Sequence, residues 1–116
     1  MALNAAALNF MLTALGTEVD FLSLHTDAVG SGNINEVSGG SPAYARKGIT
    51  WNTAAGGALD SSNTQAFDVP SGTTIRRVGF QNAVTAGTFY GDAEITDEVY
   101  GAQGTYTITD ADITLT

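Results

Sequence analysis

The chain has 116 residues, twelve of them acidic and four basic, and it contains no cysteine. A length of this order gives one domain, residues 1–116, able to bury about 65% of its unfolded surface around a single core. A formal net charge of −8 repels phosphate backbones and anionic headgroups, and the missing cysteines exclude disulfides and thiolate metal sites.

Residues 2–16 are expected to be helical. Leu3, Ala7, Phe10, Met11, Ala14 and Leu15 recur at helical spacing, and Gly16 stands where a C-terminal stop belongs. The wheel is unusual, because no charge occurs before Glu18 and Leu8 and Leu12 add apolar surface beyond one stripe. A helix apolar nearly all round should be covered on more than one side. One side is expected to meet the domain's own sheet and the other a neighbouring subunit, with Leu3, Leu8, Met11, Leu12 and Leu15 as the contact set. The segment lacks a basic leader and is too short to cross a bilayer, so neither a signal peptide nor a membrane partner is expected.

Residues 19–116 read as a β-domain. The first strand, VDFLSLHT at 19–26, is mixed enough to be covered on both faces. Residues 27–43 form a long Gly/Ser/Asn-rich loop, in which Gly30 and Gly32 do not continue into a phosphate-binding GxGxxG pattern. A strand with Ile49 and Trp51 on one face closes residues 44–51, and residues 52–62 read as a turn or weak edge strand. In QAFDVPSGTTIRRVGF at 65–80, two strands are expected to pair as a ribbon about Pro70-Ser71-Gly72. Ile75 and the Val78/Phe80 pair sit in opposite registers, which predicts a bulge at Arg76-Arg77.

After a turn at 85–87, a strand begins at Thr88, followed by an acidic patch of Asp92, Glu94, Asp97 and Glu98 read as outward-facing loop. Tyr106/Ile108 and Ile113/Leu115 alternate with threonines, and their parity flips across 110–112, which requires a bulge or a turn there. The count is seven to nine short strands. The expected fold is mainly β, an antiparallel β-sandwich or barrel-like domain with one N-terminal α-helix.

Chemistry is sparse. His25 is the sole histidine and reads as a structural strand residue, no GxSxG elbow accompanies it, and the paired carboxylates Asp92/Glu94 and Asp97/Glu98 lack an aromatic-lined cleft. Asp92, Glu94, Asp97, Asp110 and Asp112 could give calcium some oxygens, but EF-hand spacing is missing and a plain acidic rim is the preferred reading. No enzyme, cofactor or metal is expected. Trp51, Tyr44, Tyr90 and Tyr100 could form a stacking platform for a carbohydrate or receptor, although core or interface roles suit them better.

Several segments taken together, FLSLHT (21–26), NEVSGGSPAYARKGITW (35–51), FDVPSGTTIRRVGF (67–80), TAGTFYG (85–91) and YGAQGTYTITDADITL (100–115), resemble small virion proteins of tailed bacteriophages, a group labelled minor tail or tail-fibre proteins. Departures at Ser41-Pro42-Ala43 and Gln81-Asn82-Ala83 leave the fold reading intact. The resemblance implies a non-enzymatic virion structural protein, made in the host bacterial cytoplasm and partnered by copies of itself and by major capsid or tail proteins. Capsid decoration is placed ahead of a tail or fibre role, with the loops at 33–41 and 92–98 facing outward.

Overall fold

The computed structural model describes residues 3–29 and 34–115. Gly30, Gly32 and Asn33 of the long loop, Ala2 of the expected helix and Thr116 at the end of the last alternation lie outside them.

Helix α1 (Ala5–Glu18) starts at Asn4, whose Oδ1 accepts the Ala7 N–H at 3.0 Å and so satisfies one of the unpaired first-turn donors. It runs past Gly16 and closes where the Val19 N–H donates to the Leu15 carbonyl. Gly16 is therefore not the stop that its position suggested. A Cβ there would lie 3.2 Å from Leu59 Cδ2 and 3.5 Å from Trp51 Cδ1, so the glycine lets the helix sit close on its neighbours.

Eight strands follow, all antiparallel in their pairing: β1 (Phe21–His25), β2 (Lys47–Gly48), β3 (Ala58–Asp60), β4 (Gln65–Val69), β5 (Thr73–Gln81), β6 (Phe89–Tyr100), β7 (Gly104–Ile108) and β8 (Asp112–Thr114). A four-stranded sheet has the order β2-β1-β5-β6, and two ribbons, β4–β7 and β3–β8, complete the set. The architecture is an open sandwich rather than a closed barrel, as expected of a mainly β chain with a helical start. β2 is shorter than the strand expected over 44–51, and Trp51 instead makes an isolated bridge to Ser61.

The largest departure from expectation is in residues 65–80. β4 and β5 do not pair with each other. β4 lies against β7, with Gln65 opposite Ile108 and Val69 opposite Gly104, whereas β5 is held between β1 and β6. Pro70-Ser71-Gly72, with Gly72 at φ +77°, hands the chain from the ribbon to the sheet. Turn chemistry alone does not distinguish strands that pair edge to edge from strands that stack face to face. Packing decides: Phe67 and Val69 of β4 join Leu22, Leu24, Ile75 and Val78 of the sheet in one buried cluster. The bulge is where the parity placed it, in the register shift between Ile75 and Arg77.

A second small cluster, Leu12, Ala54 and Leu59 with Ile113 and Leu115 against it, seats the helix on the β3–β8 ribbon. The parity flip across 110–112 marks the step from one ribbon to the other. Residues 92–98 are not a loop. They occupy the middle of β6, a twelve-residue strand at the sheet edge. Acidic residues disfavour strands, but here Arg76 pairs with Asp97 at 3.4 Å, and Arg77 with Asp92 at 3.1 Å and Glu94 at 3.6 Å, across the β5–β6 ladder.

β1 is sealed on both faces: Leu22, Ser23, Leu24 and His25 are all 0% exposed. On the polar face, Gln81 Nε2 donates to Ser23 Oγ at 3.0 Å, Ser23 Oγ lies 2.7 Å from His25 Nε2, and His25 Nδ1 faces the Ile34 carbonyl at 2.9 Å. The carbonyl can only accept, which assigns the ring proton to Nδ1 and makes Ser23 the donor to Nε2. Burial lowers the His25 pKa from its ordinary value, against the opposing pull of the Ile34 carbonyl.

Residues 34–46 are fastened over this line. Glu36 receives Arg46 Nε and Nη2, each at 2.9 Å, and the Tyr44 hydroxyl at 2.8 Å, while Arg46 Nη1 reaches the Ala83 and Ala86 carbonyls. Burial acts to raise the Glu36 pKa, but the hydrogen bonds from Arg46 and Tyr44 outweigh it and hold the carboxyl below its usual range.

Two outcomes follow from the sealed line. A histidine held neutral by the fold contributes stability that is complete above its unfolded pKa of about 6.5 and is lost as pH falls below it. Urea midpoints should therefore decline between neutral pH and pH 5 in the native chain and decline less in His25→Gln. Equal slopes would contradict this, and an NMR titration of the native ring should independently place its pKa below the ordinary value. In Gly79→Ala the new Cβ would lie 2.5 Å from Ser23 Oγ and 2.7 Å from His25 Nε2. That overpacking should cost about 2 kcal/mol, read as a Tm lower by roughly 5–10 °C.

Candidate assembly surface

The helix meets the domain with the face opposite to the one its main apolar stripe defines. Leu12 is 0% exposed and belongs to the chain's own small core, and Leu8 and Leu15 are half-buried. Leu12 is therefore unavailable to a neighbour. Leu3 at 51% and Met11 at 39% are exposed, and Phe10, absent from the expected contact set, is the most exposed large apolar residue at 77%. The signal for Phe10 was present in the spacing of Leu3, Ala7, Phe10 and Ala14, which is that of alternating a and d positions of a heptad. What the pattern could not say is which of two apolar faces the domain would take.

The carboxylates considered for a metal do not gather as a set. Asp92, Glu94 and Asp97 are engaged by arginines on β5. Asp110 and Asp112 instead join Asp60, brought alongside by the pairing of β3 with β8, and the three place carboxylate oxygens within 4.8 Å of one another. All three are exposed. Hydrogen bonding with Asp112 and Asp110 lowers the Asp60 pKa and raises theirs, as expected where acidic groups crowd. Three carboxylates supply only part of the six to eight oxygens calcium takes.

Ser23 and His25 have the contact distance of a nucleophile and its base, yet both lie sealed behind residues 34–37 with no exposure to solvent. The four aromatics considered as a platform are dispersed. Tyr44 stacks on Phe67 with centroids 6.3 Å apart, Trp51 donates its indole N–H to the Val19 carbonyl at 2.9 Å, and Tyr100 donates to the Thr105 carbonyl. Tyr90, 42% exposed, stands ten residues from Tyr100 on the same strand, a separation of about 33 Å.

Between the inner face of β5–β6 and strand β7 runs a groove of about 350 Å³, floored by Phe80, Ile95, Tyr106 and Ile108 and ending at Asp110 and Asp112. Burial first, and then the charge of Glu98, raises the Tyr106 pKa. A second cleft of about 360 Å³ lies between the helix and residues 49–54, with Thr13, Asp20, Trp51 and Asn52 in its walls.

No curated protein and no solved structure gives a significant match to the chain. A family model does, over residues 3–116, and its description is podophage GP4 fiber I protein gp80. With its helix, both ribbons and the whole sheet inside that match, the chain belongs to this family of bacteriophage fibre proteins.

Proposed function

We propose that the chain is a non-enzymatic structural subunit of a phage fibre or tail, which associates with copies of itself through the outward stripe of α1. The observation that carries this reading is the exposure of Phe10 and Met11 on α1, with Leu3 exposed just before its cap at Asn4, in a stretch that bears no charge from residue 3 to residue 17. Single exposed apolar side chains are ordinary, but two neighbouring ones on one short helix, with a third just before it, make a patch that association would cover. Copies carrying −8 repel one another over most of their surface, and the uncharged helix is where they can meet without that cost. Within α1 the spacing of Ala7, Phe10 and Ala14, a large residue between two alanines, suits helix-to-helix packing.

Magnitudes set the expected stoichiometry. Covering a large apolar side chain yields roughly 2 kcal/mol, while association costs at least about 4 kcal/mol before any side-chain ordering. So short a stripe is thus weak as a pair and more effective in a bundle of several copies, or when the helix also meets another virion protein. Capsid decoration, placed first by the sequence, is favoured less than a tail or fibre role, because the matched family is described as a fibre protein. Major capsid proteins would be the partners only in the decoration case. The acidic surface argues against nucleic acid, and among the described residues no helix is long and apolar enough to cross a membrane. Synthesis in the host bacterial cytoplasm suits a chain without cysteines.

Light scattering should find a concentration-dependent oligomer for the native chain and a folded monomer for Phe10→Glu, with unchanged circular dichroism. A native monomer at all concentrations, or an oligomer untouched by the substitution, would remove the basis of the proposal. Densitometry of purified particles should give few copies per virion; hundreds would restore capsid decoration.

A further inference from the structure

We propose that the groove between β6 and β7 receives an extended segment of another protein by strand addition, and that this segment carries alternating apolar residues between basic ends. The sandwich is unequal. A two-stranded ribbon covers a four-stranded sheet, so the inner face at the β6 edge lacks a layer above it. Ala93 is exposed, and Phe80, Ile95, Tyr106 and Ile108 are only half-buried although all face inward. By contrast, Phe67 and Val69 of the ribbon are 0% exposed where the two layers do meet. The groove is the space that one further strand would fill.

Hydrogen-bonding capacity is present on both walls. β6 pairs only with β5 and β7 only with β4, so among the described residues each presents a free edge. An extended peptide bound to either edge gains main-chain hydrogen bonds, and alternate side chains enter the apolar floor. Edges of this kind are hazards unless managed, and here the management is acidic charge along β6.

Charge also selects the occupant. Asp110 and Asp112, with Asp60 close by, hold one end of the groove, and the charge of Glu98 acts on Tyr106 toward the other. Arg76 and Arg77 are already committed to Asp97, Asp92 and Glu94. A second copy would present the same negative edge, whereas a segment with a Lys or Arg at each end meets both acidic ends at once. Tyr106 and Asp110 are four residues apart, about 13 Å along a strand, so the matching segment is about five to seven residues long.

The test uses the full chain as the Phe10→Glu variant, so that helix-mediated association neither aids nor masks binding. The probes are fluorescein-labelled KVTVTVK and its counterpart EVTVTVE, followed by anisotropy at low and physiological salt. KVTVTVK should bind in the micromolar range, EVTVTVE at least about tenfold more weakly, and added salt should weaken the former. Ala93→Arg, at an exposed position, should fill the groove and lose the peptide with circular dichroism unchanged. Absence of binding, equal binding of both peptides, or binding that survives Ala93→Arg would each overturn the proposal, as would a native dimer that Ala93→Arg dissociates. The peptide results do not bear on helix association, which Phe10→Glu tests separately, whereas a native dimer that Ala93→Arg dissociates would count against both readings.

Discussion

The constraint on which the rest of this structure depends is the double sealing of β1. In a domain of this size few strands can be covered on both faces, and β1 is covered by unlike material: Leu22 and Leu24 meet the sandwich, while Ser23 and His25 face a loop. Polar groups that cannot reach water must be satisfied inside, and three segments have to be in register for that to happen. Gln81 and Gly79 come from β5, the former supplying a donor and the latter the space. Ile34 supplies an acceptor, and its segment is fixed by the Val37 N–H on the Leu24 carbonyl and by the Glu36–Arg46 pair. Strand, loop and the turn at 82–87 therefore behave as one unit.

That unit accounts for the shape of the remainder. With β1 and β5 committed to the middle of the sheet, β6 falls at its edge, and among the described residues the strands that cover the inner face are β4 and β7 of one ribbon. The helix is left to the far end, where Leu12 and Leu59 form a small core of their own. The molecule is correspondingly elongated, 48 × 26 × 25 Å. An incomplete sandwich and a half-covered helix are two consequences of the same shortage of chain.

Local alternation and punctuation were legible in the sequence: a strand covered on both faces at 19–26, the bulge at Arg76-Arg77, the break at 110–112 and the mainly β class. Pairing partners were not. Pro70-Ser71-Gly72 reads the same whether it closes a ribbon or passes between layers, and only the burial of Phe67 against Leu22 and Ile75 distinguishes the two. Residues 92–98 read as loop because their stabilising arginines lie on another strand, in a register invisible from local pattern. Asp60 was missed beside Asp110 and Asp112 for the same reason, since fifty residues of chain separate it from them. The helix shows a different limit. Both of its faces are apolar, and which one is buried depends on Ala54, Leu59 and the space at Gly16 rather than on the helix itself.

Charge distribution connects these features to assembly. Three of the four basic residues are engaged in ion pairs within the chain, and four of the twelve acids are their partners, so most of the remaining acids face outward without compensation. Such a surface sorts its contacts by chemistry. In the assembly proposed above, like copies would be held apart wherever carboxylates line the surface, including the open edge of β6, and would meet at the helix, where there is no charge to oppose. Unlike chains that bring cations would be favoured at that same edge under the proposal. Such a division would serve a fibre subunit, because indiscriminate edge-to-edge growth of a free strand leads to aggregates, whereas one neutral contact and one acidic contact would fix which neighbour sits where.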